Sequence, residues 1–176
     1  GPAAAISAPR TVSASWEKPG CVVLVFDILK GAVPVVLVMI SGWVQPGQYF
    51  LPITAAVGAV LGHNYTCWLR FKGGKGIATS AGALLALMPW PTLVALAVFL
   101  AAFLTTRYVS VGAISANLAL PTAAWFIYRG KPGHMTLFGT ALFLGLLAVW
   151  KHKENIQRLL KGTENRFGPK KNASSR

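Results

Sequence analysis

Acidic side chains are scarce in this sequence of 176 residues, which has 4 Asp and Glu against 17 Lys and Arg. Charged residues make up 12% of the chain and hydrophobic residues 54%, whereas an ordinary soluble domain has about 25% charged residues. This balance disfavours a soluble globular domain. A disordered basic arm is also disfavoured, because such a segment has few apolar residues. The composition predicts an integral membrane protein.

Cysteine and histidine are also scarce, with 2 and 3 residues. Two cysteines, Cys21 and Cys67, are too few for a disulfide framework. The sequence contains no H-E-x-x-H, C-x-x-C or G-x-S-x-G pattern, which disfavours metal-dependent hydrolysis and a serine triad. We therefore expect neither a metal nor a cofactor. The remaining cations, backbone amides, hydroxyls and imidazoles suit binding of phosphorylated substrates and stabilisation of negative charge.

Apolar runs divide the chain into membrane-sized pieces, since a spanning helix needs about 20 residues. The run 77–106 is too long for one helix, and Pro89 and Pro91 predict a break within it. The pattern predicts an all-α, polytopic membrane helix bundle with six apolar helical segments: 20–42, 49–68, two within 77–106, 110–128 and 135–150.

Basic residues predict the orientation of these segments. With alternating spans, only Arg129 and Lys131 lie on one side and Lys30 lies within a span. All other Lys and Arg fall on the opposite side, which is therefore expected to be cytoplasmic. This also explains the pI of about 10.4 without nucleic acid as a partner. The expected organisation is a cytosolic N-terminal segment at 1–19, a transmembrane domain at 20–150 with a cytosolic glycine-rich loop at 69–80, and a basic cytosolic tail at 151–176.

The glycine-rich loop, LRFKGGKGIATS, is the most informative stretch. Its glycines allow backbone N–H groups to converge on an anion, and the following helix N-terminus adds partial positive charge. The loop is not a Walker A sequence, because Lys75 is followed by Gly76 rather than by a hydroxyl residue. Two interpretations stay open, a phosphate-binding loop and a plain tight turn with cytosolic lysines.

A second polar cluster follows the last span in KHKENIQRLLKGTEN. Steps of three place His152, Asn155 and Arg158 along one stripe if the stretch is a single helix. They could then face a common ligand. The alternative is an interfacial amphipathic helix whose apolar residues enter the bilayer while these polar side chains are solvated.

Asp27 and Lys30 lie within the first span, three residues apart. Ionisable groups at membrane depth mark a site or a paired structural feature, and at this spacing the two can neutralise one another. A local ion pair and a catalytic role both stay open. His63 is expected to be a helix-packing residue, and His134 lies far from the basic loops.

Taken together, five blocks resemble the bacterial acyl-phosphate:glycerol-3-phosphate acyltransferases, the PlsY family. The blocks are FDILKG, GH, FKGGKGIATS, RYVSVGAI and KHKENIQRLLKGTEN, in order over residues 18–168. The resemblance implies a multi-span enzyme of the bacterial inner membrane, with seven helices in its complete form. It also implies transfer of an acyl group from acyl phosphate to the sn-1 hydroxyl of glycerol 3-phosphate, giving lysophosphatidic acid.

The resemblance also implies roles for individual residues. Lys75 would be the cation of a phosphate-holding loop, and His152 and Asn155 match the family's H-x-x-N element of binding and catalysis. Glu164 matches its structural glutamate, and Asp27 and Lys30 are expected to be structural. The remaining candidates for substrate or phosphate binding are Gly73, Gly74, Gly76, Thr79, Ser110 and Arg10.

The sequence departs from the family at its start. The family's first block reads like G-S-G-N-x-G-A-x-N-x-x-R after a first helix, whereas this chain begins GPAAAISAPR. Only Arg10, and less clearly Ser7, correspond to it, so we expect a fragment or an altered N-terminus lacking one span. Whether such a fragment is active stays open. The competing class is a non-enzymatic transporter or assembly subunit, for which Asp27, Lys30, Asn117 and Pro121 are the available mid-span features.

Overall fold

A computed structural model of the chain describes residues 17–66 and 76–168, and every regular element in these two ranges is an α-helix. This agrees with the expected all-helical bundle. The elements are α1 (Glu17–Ile40), α2 (Phe50–Asn64), α3 (Ile77–Leu87), α4 (Pro89–Thr106), α5 (Val109–Tyr128), α6 (His134–Lys151) and α7 (Lys153–Leu160).

Helix length separates α1 to α6 into two groups. Among the described residues, four helices are long and apolar enough to cross a membrane, namely α1 from Cys21 onward, α4, α5 and α6. The sequence predicted six apolar helical segments, and α2 and α3 are shorter apolar helices of 15 and 11 residues. The predicted break between α3 and α4 is present at Met88, and Pro89 occupies the first turn of α4, where no backbone donor is needed.

The outer surface of the bundle is apolar. Helix α1, for example, exposes Phe26, Leu37 and Ile40. Soluble monomers rarely expose large contiguous apolar patches. The buried core is made mostly of small and medium side chains from α1 to α6, including Val35, Ala56, Ala83, Met88 and Leu137. This distribution fits a bundle whose outside contacts lipid.

Helices α1 and α3 cross at backbone contact because each has a glycine at the crossing. A Cβ atom on Gly31 would lie 2.0 Å from the carbonyl oxygen of Thr79, and one on Gly82 would lie 2.0 Å from that of Ile28. Neither position has room for a methyl group. The crossing therefore fixes the first turns of α3 against α1.

The chain after α7 returns to the turn between α4 and α5. The backbone N–H of Phe167 donates a 2.8 Å hydrogen bond to the carbonyl of Arg107. The Phe167 ring packs edge-on against Phe103, with centroids 5.6 Å apart. The last described residues thus close one end of the bundle.

Candidate functional site

A cleft opens where α3 and α5 begin and where α6 meets α7. Its volume is about 320 Å3, and we call it the junction cleft. Its lining residues come from four separate stretches of the chain: Ile77, Val109, Ser110, His152, Asn155, Glu164, Asn165, Arg166 and Phe167. The structure therefore brings together Ser110, His152, Asn155 and Glu164 from the sequence-based candidates.

His152 lies at the junction of α6 and α7 rather than within one helix. It ends α6 and precedes α7 with φ −91° and ψ 7°, so the single helix predicted for His152, Asn155 and Arg158 is wrong. His152 is 1% exposed and Asn155 is 7% exposed. The alternative in which both are merely solvated is wrong as well.

The imidazole of His152 is oriented by its own helix. Nδ1 lies 2.8 Å from the carbonyl oxygen of Ala148, and a carbonyl can only accept, so Nδ1 carries a proton. When the ring is neutral, its lone pair is then on Nε2. This arrangement suits a general base or a hydrogen-bonding group in the junction cleft.

Glu164 is the centre of a partly buried polar cluster. Nδ2 of Asn155 donates to Oε1 at 2.6 Å, and Nε of Arg158 donates to Oε2 at 2.7 Å. Burial by itself would raise the pKa of the Glu164 carboxyl, but the hydrogen bonds from Asn155 and Arg158, helped by the nearby Ser110 hydroxyl and the Arg158 charge, lower it to about 2. A carboxylate this acidic is a poor general base and is suited to holding neighbouring groups in place.

Two helix N-termini border the junction cleft. Val109 and Ser110 form the first turn of α5, and Ile77 begins α3. The first N–H groups of a helix lack intrahelical acceptors and carry partial positive charge, so they favour an anion. Ser110 is buried in the lining of the cleft, and its hydroxyl is close enough to Glu164 to help lower the pKa of that carboxyl. The two helix N-termini therefore suit a phosphate group.

The glycine-rich loop is described only at its end. Gly76 is buried and has φ +72°, and a Cβ there would lie 2.5 Å from Oδ1 of Asn64. Thr79 is fully buried, with no hydrogen-bond partner for its Oγ1 within the two described ranges. Gly73, Gly74 and Lys75, like Arg10 and Ser7, lie outside the described residues.

The chain after that loop reaches the junction cleft, because Gly76 precedes Ile77, which lines it. The chain before the loop ends near α6, where the Tyr65 ring lies 4.0 Å from Nζ of Lys151. Neither Tyr65 nor Lys151 lines the cleft. Asn64, at the end of α2 and against Gly76, belongs to this region, and sequence reasoning missed it although it directly follows the GH block.

Asp27 and Lys30 form a separate cluster between α1 and α2. Their side chains make an ion pair one helical turn apart. Nδ1 of His63 lies 3.9 Å from Oδ1 of Asp27, a relationship that the sequence analysis did not anticipate. His134 is elsewhere, with its ring 4.7 Å from that of Trp125. The residues that line the junction cleft do not include Asp27, Lys30, His63 or His134.

Several known proteins similar to this chain share one description. The sequence model of the family described as glycerol-3-phosphate acyltransferase matches residues 5–162. A glycerol-3-phosphate acyltransferase of Geobacter sulfurreducens is 44% identical over 150 residues, covering 84% of this chain and 72% of that protein. One from Endomicrobium trichonymphae is 40% identical over 148 residues, covering 84% and 70%.

Two solved structures resemble this fold, both of PlsY (YgiH), an integral membrane glycerol 3-phosphate acyltransferase. The glycerol 3-phosphate form has a TM-score of 0.74 and 35% identity, covering 86% of this chain and 72% of that one. The lysophosphatidic acid form has a TM-score of 0.75 and 35% identity, covering 88% and 76%. Sequence and fold comparisons thus indicate the same kind of protein.

Proposed function

This chain belongs to the glycerol-3-phosphate acyltransferase family, as its motifs indicated, and on that premise we propose that it acylates glycerol 3-phosphate to give lysophosphatidic acid. The acceptor would be the sn-1 hydroxyl, and the donor an acyl phosphate. The observation that carries this proposal is the junction cleft, which combines the buried His152 with two helix N-termini. Such a site holds phosphorylated molecules beside a group that can accept a proton.

The charges around the cleft favour anionic substrates. The one carboxylate in its described lining, Glu164, is already engaged by Asn155 and Arg158. Arg166 and the N-termini of α3 and α5 contribute positive charge. We assign Lys75 and the glycines before Gly76 to the same phosphate site, because their loop ends at Gly76, which directly precedes Ile77 in the cleft lining.

The reaction needs no acyl-enzyme intermediate, since an acyl phosphate is already activated. The sn-1 hydroxyl oxygen attacks the carbonyl carbon of the donor. The bond from that carbon to the bridging phosphate oxygen breaks, and inorganic phosphate leaves with the electron pair. The hydroxyl proton goes to Nε2 of His152 or to a substrate phosphate oxygen. Alignment and charge stabilisation are then the main tasks of the protein.

The proposed membrane arrangement follows the basic residues. The end that carries the junction cleft also carries Arg107, Lys151 and Arg158, whereas Arg129 and Lys131 lie at the other end of α5. We place the cleft at the cytoplasmic face of a bacterial inner membrane. Residues 20–150 would form the transmembrane domain, with 1–19 and 151–176 on the cytoplasmic side.

A transporter or assembly subunit is not favoured by the mid-span residues. Nδ2 of Asn117 donates to the carbonyl of Ala113 in its own helix, at 2.8 Å. Pro121 is buried in α5 beside Gly145 of α6. These residues are used in helix structure and packing, while the polar groups that could meet a ligand lie at the end of the bundle.

The test is an assay of the full-length protein in lipid nanodiscs with labelled glycerol 3-phosphate. Acyl phosphate, acyl-CoA and acyl carrier protein would be supplied in parallel as donors. We expect lysophosphatidic acid from acyl phosphate, with one inorganic phosphate released for each product molecule. If product formed only from a thioester donor, acyl phosphate would be rejected as the donor. If none of the donors gave product, the acyltransferase function would be rejected.

A further inference from the structure

The residues after α7 form a short strap, 161–168, that is fixed at two points. The first is Glu164, whose carboxylate accepts hydrogen bonds from Asn155 at 2.6 Å and Arg158 at 2.7 Å. The second is Phe167, which is bonded to the carbonyl of Arg107 at 2.8 Å and packed on the Phe103 ring. Only two residues lie between these anchors, so their backbone has little freedom.

The Arg107 anchor is itself held in an uncommon conformation. Arg107 ends α4 with φ +64°, and it is the one non-glycine residue with positive φ in the described ranges. Such a conformation is unfavourable for a residue with a Cβ atom and persists where surrounding contacts hold it. Here the Arg107 N–H donates to the carbonyl of Phe103 at 2.7 Å while its own carbonyl accepts from Phe167.

Arg166 lies between the two anchors and lines the junction cleft together with Ser110 and His152. Within residues 17–66 and 76–168, its guanidinium has no ion-pair partner. The acidic residue nearest to Arg166 in sequence is Glu164, and its carboxylate already accepts hydrogen bonds from Asn155 and Arg158. A guanidinium that is always charged, has no ion-pair partner in the described part of the chain and belongs to the lining of a cleft that favours anions is suited to binding phosphate.

We propose that Arg166 binds a substrate phosphate in the junction cleft and that Phe167 is the positioning residue that keeps Arg166 there. The inference rests on the proposed function for the identity of the phosphate. Glycerol 3-phosphate and the acyl phosphate donor both carry a phosphate monoanion or dianion, and Arg166 could bind either one. Separate Michaelis constants for the two substrates distinguish these sources.

The first test compares Arg166→Gln with Lys161→Gln in the full-length protein. Lys161 lies on the same strap but is exposed and outside the cleft lining. We expect Arg166→Gln to raise KM for one phosphate substrate about 10- to 100-fold, the range of one charge-assisted hydrogen bond. The value of kcat should change less than about threefold, and Arg166→Lys should recover part of the affinity, while Lys161→Gln should match wild type.

The second test concerns Phe167. Phe167→Ala should raise the KM of the same substrate with Arg166 still present, and Phe167→Tyr, which keeps a ring against Phe103, should restore it. A purely structural role would instead lower thermal stability and kcat without selecting one substrate. That pattern would overturn the positioning role, and unchanged KM values for both substrates in Arg166→Gln would overturn the binding role.

A direct binding measurement separates this inference from the proposed function. Titration calorimetry with glycerol 3-phosphate and with inorganic phosphate needs no turnover. If wild type forms no lysophosphatidic acid, the proposed function fails, and binding lost in Arg166→Gln but kept in Lys161→Gln still supports the phosphate site. If wild type is active and Arg166→Gln binds both ligands as well as wild type does, the inference alone fails.

Discussion

Nδ2 of Asn155 donates a 2.6 Å hydrogen bond to Oε1 of Glu164, 9 residues further along the chain. The second carboxylate oxygen accepts from Nε of Arg158 at 2.7 Å. One buried carboxylate therefore joins α7 to the strap that follows it and to the junction cleft. The side chain of Glu164 is 7% exposed, against 41% for that of Arg158, so the carboxylate is the group that depends most on its partners.

Replacing Glu164 with Gln should destabilise this end of the bundle. The NH2 group of the Gln amide can only donate, so it would face Asn155 or Arg158, which are both donors here. One hydrogen bond and the attraction between the carboxylate and Arg158 are then lost. We expect a loss of about 1–3 kcal/mol in the free energy of unfolding. Thermal denaturation in detergent measures it, with Glu154→Gln in the exposed first turn of α7 as the matched control. Equal stability of the two variants would contradict the structural role.

The same carboxylate predicts a specific acid sensitivity. Its pKa is lowered from an ordinary 4.5 to about 2, so the ionised form stabilises the folded state above pH 4.5 and this contribution is lost as the pH falls towards 2. The stability difference between wild type and Glu164→Gln should therefore be constant near neutral pH and shrink below pH 4.5. Melting temperatures from pH 7 down to pH 3 measure this, and a gap that did not shrink would exclude Glu164 as its source.

Much of the fold was predictable because the apolar runs and the prolines act locally. The prediction of a break at Pro89 and Pro91 is confirmed, since proline stops one helix and starts another through its own backbone. The break at His152 was not predictable in this way. Neither glycine nor proline marks it, and the strap contacts of Glu164 and Phe167 that accompany it join residues distant in sequence.

The residues of the candidate site also differ in whether the sequence alone could identify them. His152, Asn155 and Glu164 stand out in the sequence because they belong to a motif of spaced polar residues. Arg166 and Phe167 look like an ordinary basic tail, and only the bond from Phe167 to Arg107 places them at the cleft. A lone phenylalanine within a polar, basic segment was the available signal. The placement of Lys75 stays a prediction.

His152→Gln tests whether the imidazole moves a proton. If His152 is the general base, kcat should fall about 100- to 10,000-fold and the acidic limb of the rate–pH profile should disappear. If His152 only binds substrate, KM should rise while kcat is kept. Steady-state kinetics over pH 5 to 9 distinguish the two results. His134→Gln, at the other end of the bundle against Trp125, is the control and should keep wild-type kinetics.

Lys75→Ala tests the glycine-rich loop. A cation that stabilises phosphate charge during transfer should contribute about 100- to 1,000-fold to kcat, so acyl transfer should fall by this amount. Lys131→Ala removes a lysine beside Tyr128, at the opposite end of α5 from the junction cleft, and should leave the rate unchanged. Wild-type turnover in Lys75→Ala would show that Lys75 does not act in the site, and it would favour the interpretation of the loop as a simple turn.

Gly31→Ala tests whether the contact between α1 and α3 supports the site. The new methyl group would overlap the Thr79 carbonyl, 2.0 Å from the Cβ position, so the helices must separate at a cost of about 1–3 kcal/mol. Because Ile77 of α3 lines the junction cleft, acyl transfer should fall as well. Gly82→Ala should behave alike, since its Cβ would lie 2.0 Å from the Ile28 carbonyl.

The matched control for this crossing is Gly58→Ala in α2. Apart from the surrounding backbone of α2 and the two neighbouring residues, no described atom lies within 4 Å of the position that a Cβ on Gly58 would take, so alanine there should be neutral or stabilise the helix by about 0.5–1 kcal/mol. Melting temperature and initial rate would be measured on all three variants in the same detergent. If Gly31→Ala and Gly82→Ala matched Gly58→Ala in both, α1 and α3 would not need backbone contact, and the site would not depend on their crossing.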